Sequence, residues 1–217
     1  MTACISVENV PLETEGETVS FTVAKGEACV LITPKDEVNA TLTRLLIGLT
    51  PASQGSIKLF GSYVSTMTVR EVYACRQRIG VVYPSGGLVS NLKVWENLTL
   101  PLAYHTPLGE DEIESRGRSV LARLGYTGGL MELPGHLTLF QKKLIGFGRA
   151  MLTDPLLMLY ESPLQGLNRD ERDVILTTAR AWHGEKPDRA SLYLTSNPVI
   201  ADLVPDAKVI RLMGNSL

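Results

Sequence analysis

The length, composition and charge of this chain place it among ordinary globular proteins and exclude several functional classes. Its 217 residues suffice for one sizeable domain, and the 44% of hydrophobic and 20% of charged residues are typical of a folded chain. The formal net charge of −2 argues against nucleic acid as a partner, because binding to a phosphate backbone favours a basic surface.

The sequence predicts neither a membrane span nor a secretion signal. No stretch reaches the roughly 18 consecutive apolar residues that a span needs, and the start MTACISVENV lacks a charged segment followed by an apolar core. Cys4, Cys29 and Cys75 form no C-x-x-C pair, and the histidines have no ligand spacing. We therefore expect reduced thiols, no metal site and a cytoplasmic location.

The first part of the chain combines strand and helix patterns. ISVENV and TVSFTV alternate polar and apolar side chains, which predicts an antiparallel β region, and the apolar ACVLI (28–32) predicts a buried strand. Apolar residues then recur at helical spacing from Leu42 to Leu49, and Pro51 is expected to end this helix. SIKLFG predicts a short strand, and a helix is expected over 68–78.

The rest of the chain alternates strands and helices with one interruption. IGVVYP, LLMLY, SLYLTS and AKVIRL predict strands, and helices are expected from about 140 to 153 and over 169–182. This alternation predicts an α/β fold, with a parallel sheet covered by helices. Two helical patterns between 91 and 126 interrupt it. They predict a helical subdomain, approximately 88–150, inserted into a single domain that spans 1–217.

Four segments, in this order, resemble the ATP-binding subunits of ABC transporters: GLTPASQGSIKLFG (48–61), RQRIGVVYPSGGLVSNLKVWENLTLPL (76–102), HLTLFQKKLIGFGRAMLTDPLLMLYESPLQGLN (136–168) and LYLTSNP (192–198). The resemblance implies the nucleotide-binding-domain fold of that family: a mostly parallel sheet with flanking helices, an N-terminal antiparallel β region and an inserted helical subdomain. Within the family, SGGLVSNLKVWENLTLPL is most similar to the ATPases of MCE-type lipid transport systems.

The segment LITPKDEVNATLTRLLIGL (31–49) corresponds to the family's phosphate loop but lacks its chemistry. A phosphate loop needs glycines for close backbone approach, a lysine on the phosphates and a hydroxyl on Mg²⁺. The resemblance places these residues there: Thr33, Asp36 and Val38 at glycines, Asn39 at the lysine, Ala40 at the hydroxyl and a retained Thr41. Asp36 and Glu37 also place negative charge where a triphosphate would lie, and like charges repel.

The family's other functional positions are replaced as well. The resemblance assigns them as follows: Glu161 to the Walker B aspartate, Ser162 to the catalytic glutamate, Pro84 to the Q-loop glutamine, Asn168 to the D-loop aspartate and Ser196 to the switch histidine. The signature L-S-G-G-Q reads Leu137, Thr138, Leu139, Phe140, Gln141. Because these parts are altered together, the sequence predicts a pseudo-ATPase with no catalytic residue, no bound nucleotide and no cofactor.

We also expect a helix to fill the altered phosphate loop. Thr33-Pro34-Lys35-Asp36 fits a helix start, with Thr33 as N-cap, Pro34 at the first helical position and Asp36 at the third. The acids would then complement the helix dipole in place of a nucleotide phosphate.

Several residues have two interpretations. Glu161 is either a remnant metal ligand or a strand-end acid hydrogen-bonded to nearby backbone. Leu139 and Phe140 are either a dimer contact or part of the core. Four apolar residues form either a docking surface for a membrane subunit or the core of the helical subdomain: Leu88, Val94, Trp95 and Leu98.

The first functional hypothesis is a structural or regulatory subunit of an ABC transporter for lipid. Such a subunit would lie on the inner face of the cytoplasmic membrane, contact the permease subunits, and form a homodimer or a heterodimer with another ABC ATPase-type subunit. Leu139 and Phe140 would crowd the partner's γ-phosphate. One alternative is an ATPase that binds nucleotide weakly through Thr41, Gln141 and Glu161. The other is an interaction module that reuses the fold without a transporter.

Overall fold

Two β-sheets form the frame of the computed structural model, which describes residues 3–12 and 18–212. One sheet is antiparallel and contains β1 (Ala3–Pro11), β2 (Thr18–Ala24), β4 (Ser56–Leu59) and β5 (Ser62–Tyr63), in the order β2-β1-β4-β5. The other is parallel and contains β3 (Ala28–Ile32), β6 (Ile79–Val82), β7 (Leu157–Glu161), β8 (Ala190–Thr195) and β9 (Lys208–Arg211), in the order β6-β7-β8-β3-β9.

Helices connect the strands of the parallel sheet and cover it. They are α1 (Asp36–Leu46), α2 (Val69–Arg76), α3 (Val94–His105), α4 (Glu110–Leu124), α5 (Leu139–Leu152), α6 (Arg169–Gly184) and the short α7 (Ile200–Leu203), with 3₁₀ turns at Val64–Thr66 and Pro134–His136. The α/β fold predicted from the sequence, with its antiparallel β region and parallel sheet, is confirmed. Within the described residues, no helix is long and apolar enough to cross a membrane.

The end of α1 differs from the prediction. The helix ends at Leu46, before Pro51, and Leu49 is 55% exposed rather than part of an apolar helical face. Gly48 adopts a φ of 66°, and the Leu49 amide donates to the Arg44 carbonyl oxygen at 2.8 Å. A left-handed glycine satisfies the last carbonyls of a helix, so Gly48 and not the proline stops it.

Two apolar cores lie in different layers of the molecule. One packs the antiparallel sheet and α1 against the parallel sheet, through residues such as Ile5, Leu31 and Leu42. The other packs α3, α4, α5 and α6 together against the parallel sheet, and Phe147 and Trp182 are fully buried in it. The parallel sheet is therefore covered on both sides, which explains why its strands read as apolar runs.

The helices α3, α4 and α5 leave little of the predicted docking surface available. Val94 and Leu98 are fully buried, so of the two interpretations the core of the helical subdomain describes them and docking on a membrane subunit does not. Trp95 lies against Gly117 of α4, where an added Cβ would be 2.6 Å from the indole ring, and Leu88 also packs on the core. These side chains stabilise the contact between helices, because α3 presents its apolar residues to α4 and α5.

Candidate functional site

The parallel sheet brings distant segments of the chain to one edge. Strand β8 pairs with both β7 and β3, and all three run in the same direction, so their carboxyl ends are adjacent. Ser162 follows β7, Ser196 follows β8, and Thr33 and α1 follow β3. This edge is where open α/β sheets bind their ligands, and the residues that the family resemblance assigns to the phosphate-loop, catalytic and switch positions lie in these segments.

The Asp36 carboxylate is the centre of this edge. Its Oδ1 accepts hydrogen bonds from Ser162 Oγ and Ser196 Oγ, each at 2.8 Å, and from Asn39 Nδ2 at 3.1 Å. Its Oδ2 accepts one from Gln165 Nε2 at 2.9 Å. Each carboxylate oxygen offers about two lone-pair sites, so Oδ1 has no further site to offer and Oδ2 keeps about one. We call Asp36, Asn39, Ser162, Gln165 and Ser196 the Asp36 cluster.

Asn39, at the lysine position, is fully buried and its side chain is bonded at both ends. Its Oδ1 accepts from Thr33 Oγ at 2.7 Å, and its Nδ2 donates to Ser162 Oγ at 2.9 Å as well as to Asp36. The amide therefore faces other protein groups and presents no free donor to a ligand.

The predicted helix start is wrong in its details. Helix α1 begins at Asp36 with Lys35 as N-cap, so Thr33 does not cap the helix and Pro34 is not its first residue. The Thr33 side chain instead points inward to Asn39, and its backbone N–H donates to the Thr195 carbonyl oxygen at 2.8 Å. This backbone bond continues the pairing of β3 with β8 and keeps Thr33 extended, which leaves Asp36 in the first turn, where its charge suits the dipole.

The remaining phosphate-loop and Q-loop positions have other surroundings. Val38 is buried in the core between α1 and the sheets. Ala40 and Thr41 are half-buried, and the Thr41 hydroxyl accepts a long hydrogen bond, 3.4 Å, from Arg44 within the same helix. Pro84 follows β6 and is half-buried. The fold thus brings the Asp36 cluster together but leaves these four residues outside it.

Glu161 lies at the end of β7 and is buried. Burial raises the pKa of its carboxyl group and the Asp36 charge acts in the same direction, whereas the Thr43 hydroxyl and the Arg44 charge lower it. The hydrogen bonds between the described residues include none from a backbone N–H to this carboxylate, so the predicted backbone partner is not found. Those residues also include no group of three or more His, Cys, Asp or Glu side chains able to hold a metal.

We predict that Glu161→Gln stabilises the protein at neutral pH. A carboxyl group whose pKa is raised by folding stabilises the folded protein below the unfolded pKa, near 4.3. This stabilisation is lost as the pH rises through the folded pKa. The gain from the substitution should therefore be largest at pH 7–8 and shrink towards pH 4.5. Urea unfolding over this pH range measures it, with exposed Glu132→Gln as the control. An equal stability difference at all pH values would contradict the prediction.

The signature positions form the start of α5. Thr138 is its N-cap: Thr138 Oγ accepts from the Gln141 backbone N–H, and Gln141 Oε1 accepts from the Thr138 backbone N–H. Leu139 is 37% exposed and lies over Gly166, where an added Cβ would be 2.6 Å from Cδ2 of Leu139. Phe140 is partly buried against the core. Phe140 therefore packs on the core, while Leu139 remains at the surface.

Asn168, at the D-loop position, caps α6 in the same way as Thr138 caps α5.

Two site residues were missed in the sequence. Gln165 lies in a loop and carries no pattern that would single it out. Lys143 is fully buried in α5, and its Nζ donates to the carbonyl oxygens of Pro163 at 2.8 Å and Ser162 at 3.4 Å. Burial lowers its pKa to about 8. A lysine followed by the apolar run LIGFG on the same helix was the available signal.

The residues at this edge do not fit a magnesium-bound triphosphate. The lysine position holds a neutral, buried amide, and the place of a phosphate-loop glycine holds an acid that already has four hydrogen-bond partners. Ala40 has no hydroxyl for Mg²⁺ and Ser162 has no carboxylate for a water molecule. Both the charge and the donor set therefore disfavour polyphosphate.

The family of this chain follows from the comparison with known proteins. The family model described as "ABC transporter" matches residues 17–165. The chain belongs to the ABC transporter family. Among its relatives, the "Probable ribonucleotide transport ATP-binding protein mkl" of Mycobacterium tuberculosis is 30% identical over 190 residues, which cover 88% of this chain and 53% of that protein.

A second relative agrees with this family, and a solved structure agrees with the fold. The "Intermembrane phospholipid transport system ATP-binding protein MlaF" of Haemophilus influenzae is 27% identical over 161 residues, or 74% of this chain and 61% of that protein. The dimeric ATP-binding cassette MJ0796, bound to ADP and Pi, superposes with a TM-score of 0.83 at 19% identity and covers 96% of this chain and 94% of its own; it supports the fold. This ABC-family chain spans about half the length of the first curated relatives.

Proposed function

We propose that this ABC-family domain is a subunit of a transporter that works without binding or hydrolysing ATP. The Asp36 cluster carries the proposal, because residues at the phosphate-loop, catalytic and switch positions are bonded to one another instead of facing a ligand. The chain would then contribute a folded subunit surface, and its conformation would not depend on a nucleotide cycle.

The hydrogen bonds of the Asp36 cluster favour a subunit that does not bind ATP over one that does. A triphosphate would have to displace a carboxylate from four side-chain donors. Hydrogen bonds to a charged group are worth about 1.5–3 kcal/mol each when buried, so the displacement costs several kcal/mol even for a half-buried Asp36. Binding would also bring a polyanion next to Asp36 and Glu161. Asn39, at the position of the family's lysine, has no positive charge to compensate for this repulsion.

The alternative of a weakly nucleotide-binding ATPase has little support. It rests on Thr41, Gln141 and Glu161, which are the residues closest to the family pattern. Gln141 is used in the cap of α5, and Thr41 contacts Arg44. Glu161 has a raised pKa, because its burial disfavours the charged form that would bind Mg²⁺.

A groove beside β6 supports docking on a membrane subunit. It has a volume of about 660 Å³ and lies between α2, β6, α3 and α5, with Tyr73, Tyr83, Pro101, His105 and Arg149 in its wall. Tyr73, in this wall, is 58% exposed. Arg76, Arg116 and Asp154 also line the groove, so it offers both apolar surface and charged groups to a helix of a partner protein. We assign it to a permease subunit, in place of the docking alternative considered for Val94 and Leu98.

The proposed cargo is lipid, and the proposed location is the inner face of the cytoplasmic membrane. The similarity to MlaF, whose name gives phospholipid transport, supports the cargo, together with the MCE-type resemblance of residues 85–102. A dimer, with a second copy or with another ABC ATPase-type subunit, is the expected assembly.

Calorimetric titration of the purified chain with Mg-ATP, ADP and GTP tests nucleotide independence, and thermal-shift measurements provide a second readout. We expect no heat and no shift at millimolar nucleotide. An ATP-binding relative such as MlaF, run in the same buffer, shows that the assay detects binding. Micromolar binding to this chain would contradict the proposal.

Co-purification with any permease encoded beside this gene tests the docking groove and separates a transporter subunit from a free interaction module. Tyr73→Asp should abolish co-purification, because it replaces the exposed aromatic ring in the wall of the groove with a charged group. Val174→Asp is the matched control, since Val174 is 39% exposed on α6, which contributes no residue to the groove. Unchanged co-purification of Tyr73→Asp would refute this assignment.

A further inference from the structure

The loop after β7, residues 162–168, is held from two sides by groups that belong to different layers of the molecule. On one side, Asp36 of α1 accepts from the Ser162 and Gln165 side chains. On the other side, Lys143 of α5 donates to the carbonyl oxygens of Ser162 and Pro163. The loop therefore connects the helix that follows β3 with the helix that begins at the signature position.

Ser162 occupies a backbone conformation that needs such support. Its φ of 41° lies in the left-handed region, which is unfavourable for a residue with a Cβ. Its N–H donates to the Leu194 carbonyl oxygen at 2.8 Å, its hydroxyl donates to Asp36 and its carbonyl oxygen faces Lys143. Each polar group of Ser162 thus has a partner on a different element, namely β8, α1 and α5.

The loop after β8 is attached to the same carboxylate. Ser196 Oγ donates to Asp36 Oδ1 at 2.8 Å. One side chain at the start of α1 consequently joins the loop after β7 to the loop after β8. In a site with a bound anion, that anion would be the common partner of such loops, whereas here the common partner is part of the chain.

We infer that Asp36 is a built-in ligand that locks these two loops, and through Lys143 the start of α5, into one arrangement in the absence of any nucleotide. The inference deepens the proposed function and rests on it, since a lock of this kind is of use to a subunit that does not cycle with ATP. The lock consists of side-chain contacts made by residues that replace the family's own. A single substitution should therefore release the loops without unfolding the sheet.

Hydrogen exchange of the full chain, measured without nucleotide, tests the lock. Asp36→Ala should speed exchange of the amides in 162–168 by about tenfold or more, because their closed state loses charge-assisted hydrogen bonds. Amides of the buried strand β3 should exchange as in the wild type. Glu37→Gln is the matched control: Glu37 is the next acid in the same helical turn and is exposed, so it changes the dipole interaction but not the lock.

A milder variant keeps the test decisive if Asp36→Ala folds poorly. Ser196→Ala removes one contact and should raise exchange in 197–200 while leaving 162–168 close to the wild type. Loop exchange within twofold of the wild type in both variants would overturn the lock. Equal acceleration in β3 and in the loops would also overturn it, since Asp36 would then stabilise the whole fold.

These outcomes are separate from those for nucleotide binding. A wild-type chain that binds Mg-ATP contradicts the proposed function, whatever the exchange data show. Loops that exchange freely in a wild-type chain without nucleotide contradict the lock, even if no nucleotide binds.

Discussion

Asn39→Leu is expected to lower the stability of the protein by about 3 kcal/mol, since the three hydrogen bonds of a fully buried amide are lost at about 1 kcal/mol each. Leucine has a similar volume, so the effect comes from polarity and not from a cavity. Buried Thr33 Oγ and Ser162 Oγ and half-buried Asp36 Oδ1 would each lose a partner. The melting temperature should fall by roughly 6–12 °C for a chain of this size.

The matched control for this variant is Thr41→Val. Thr41 is the retained residue of the phosphate-loop pattern, yet its hydroxyl makes one long bond to Arg44 at the surface, so its loss should change the melting temperature by less than about 2 °C. Thermal unfolding followed by circular dichroism measures both variants. An equal fall in melting temperature in both variants would mean that Asn39 contributes no more to stability than Thr41, contrary to the prediction.

The stability of the protein should increase with pH in the alkaline range because of Lys143. Its folded pKa of about 8 lies below the unfolded value near 10.4, so the unfolded chain binds more protons between these values. The free energy of unfolding should consequently rise with pH in this window, by up to about 1.4 kcal/mol per pH unit and roughly 3 kcal/mol in total. Below pH 8 the buried lysine is charged in both states and the desolvation penalty is fully present.

The comparison with Lys143→Met isolates this contribution from other titrating groups. Urea unfolding at pH 7.5, 8.5 and 9.5 should show the wild type gaining stability relative to the variant as the pH rises. Lys142→Met, the same change at the neighbouring half-buried residue, serves as the control and should run parallel to the wild type. A constant difference between the wild type and Lys143→Met would mean that the lysine stays protonated throughout.

The patterns of the sequence identify most of the secondary structure because burial imposes a period on each element. The apolar ACVLI and SLYLTS became the buried strands β3 and β8, and the predicted helices at 140–153 and 169–182 became α5 and α6. The end of α1 was missed because a left-handed glycine competes with the downstream proline as the stop. Val94 and Leu98 were ambiguous, since an apolar helix face predicts contact but not whether the contact is with the chain's own helices or with another protein.

Residue type and spacing in the sequence were enough for the α/β class, the order of the elements and the ABC family, and they predict replaced phosphate-loop, catalytic, signature and switch residues. What the residues at those positions contact depends on the tertiary structure. Asp36, Ser162, Gln165 and Ser196 are separated by up to 160 residues along the chain, and no local pattern links them. Parallel pairing of β7, β8 and β3 brings their ends together, and the direction of each side chain at that edge decides which donors meet the carboxylate.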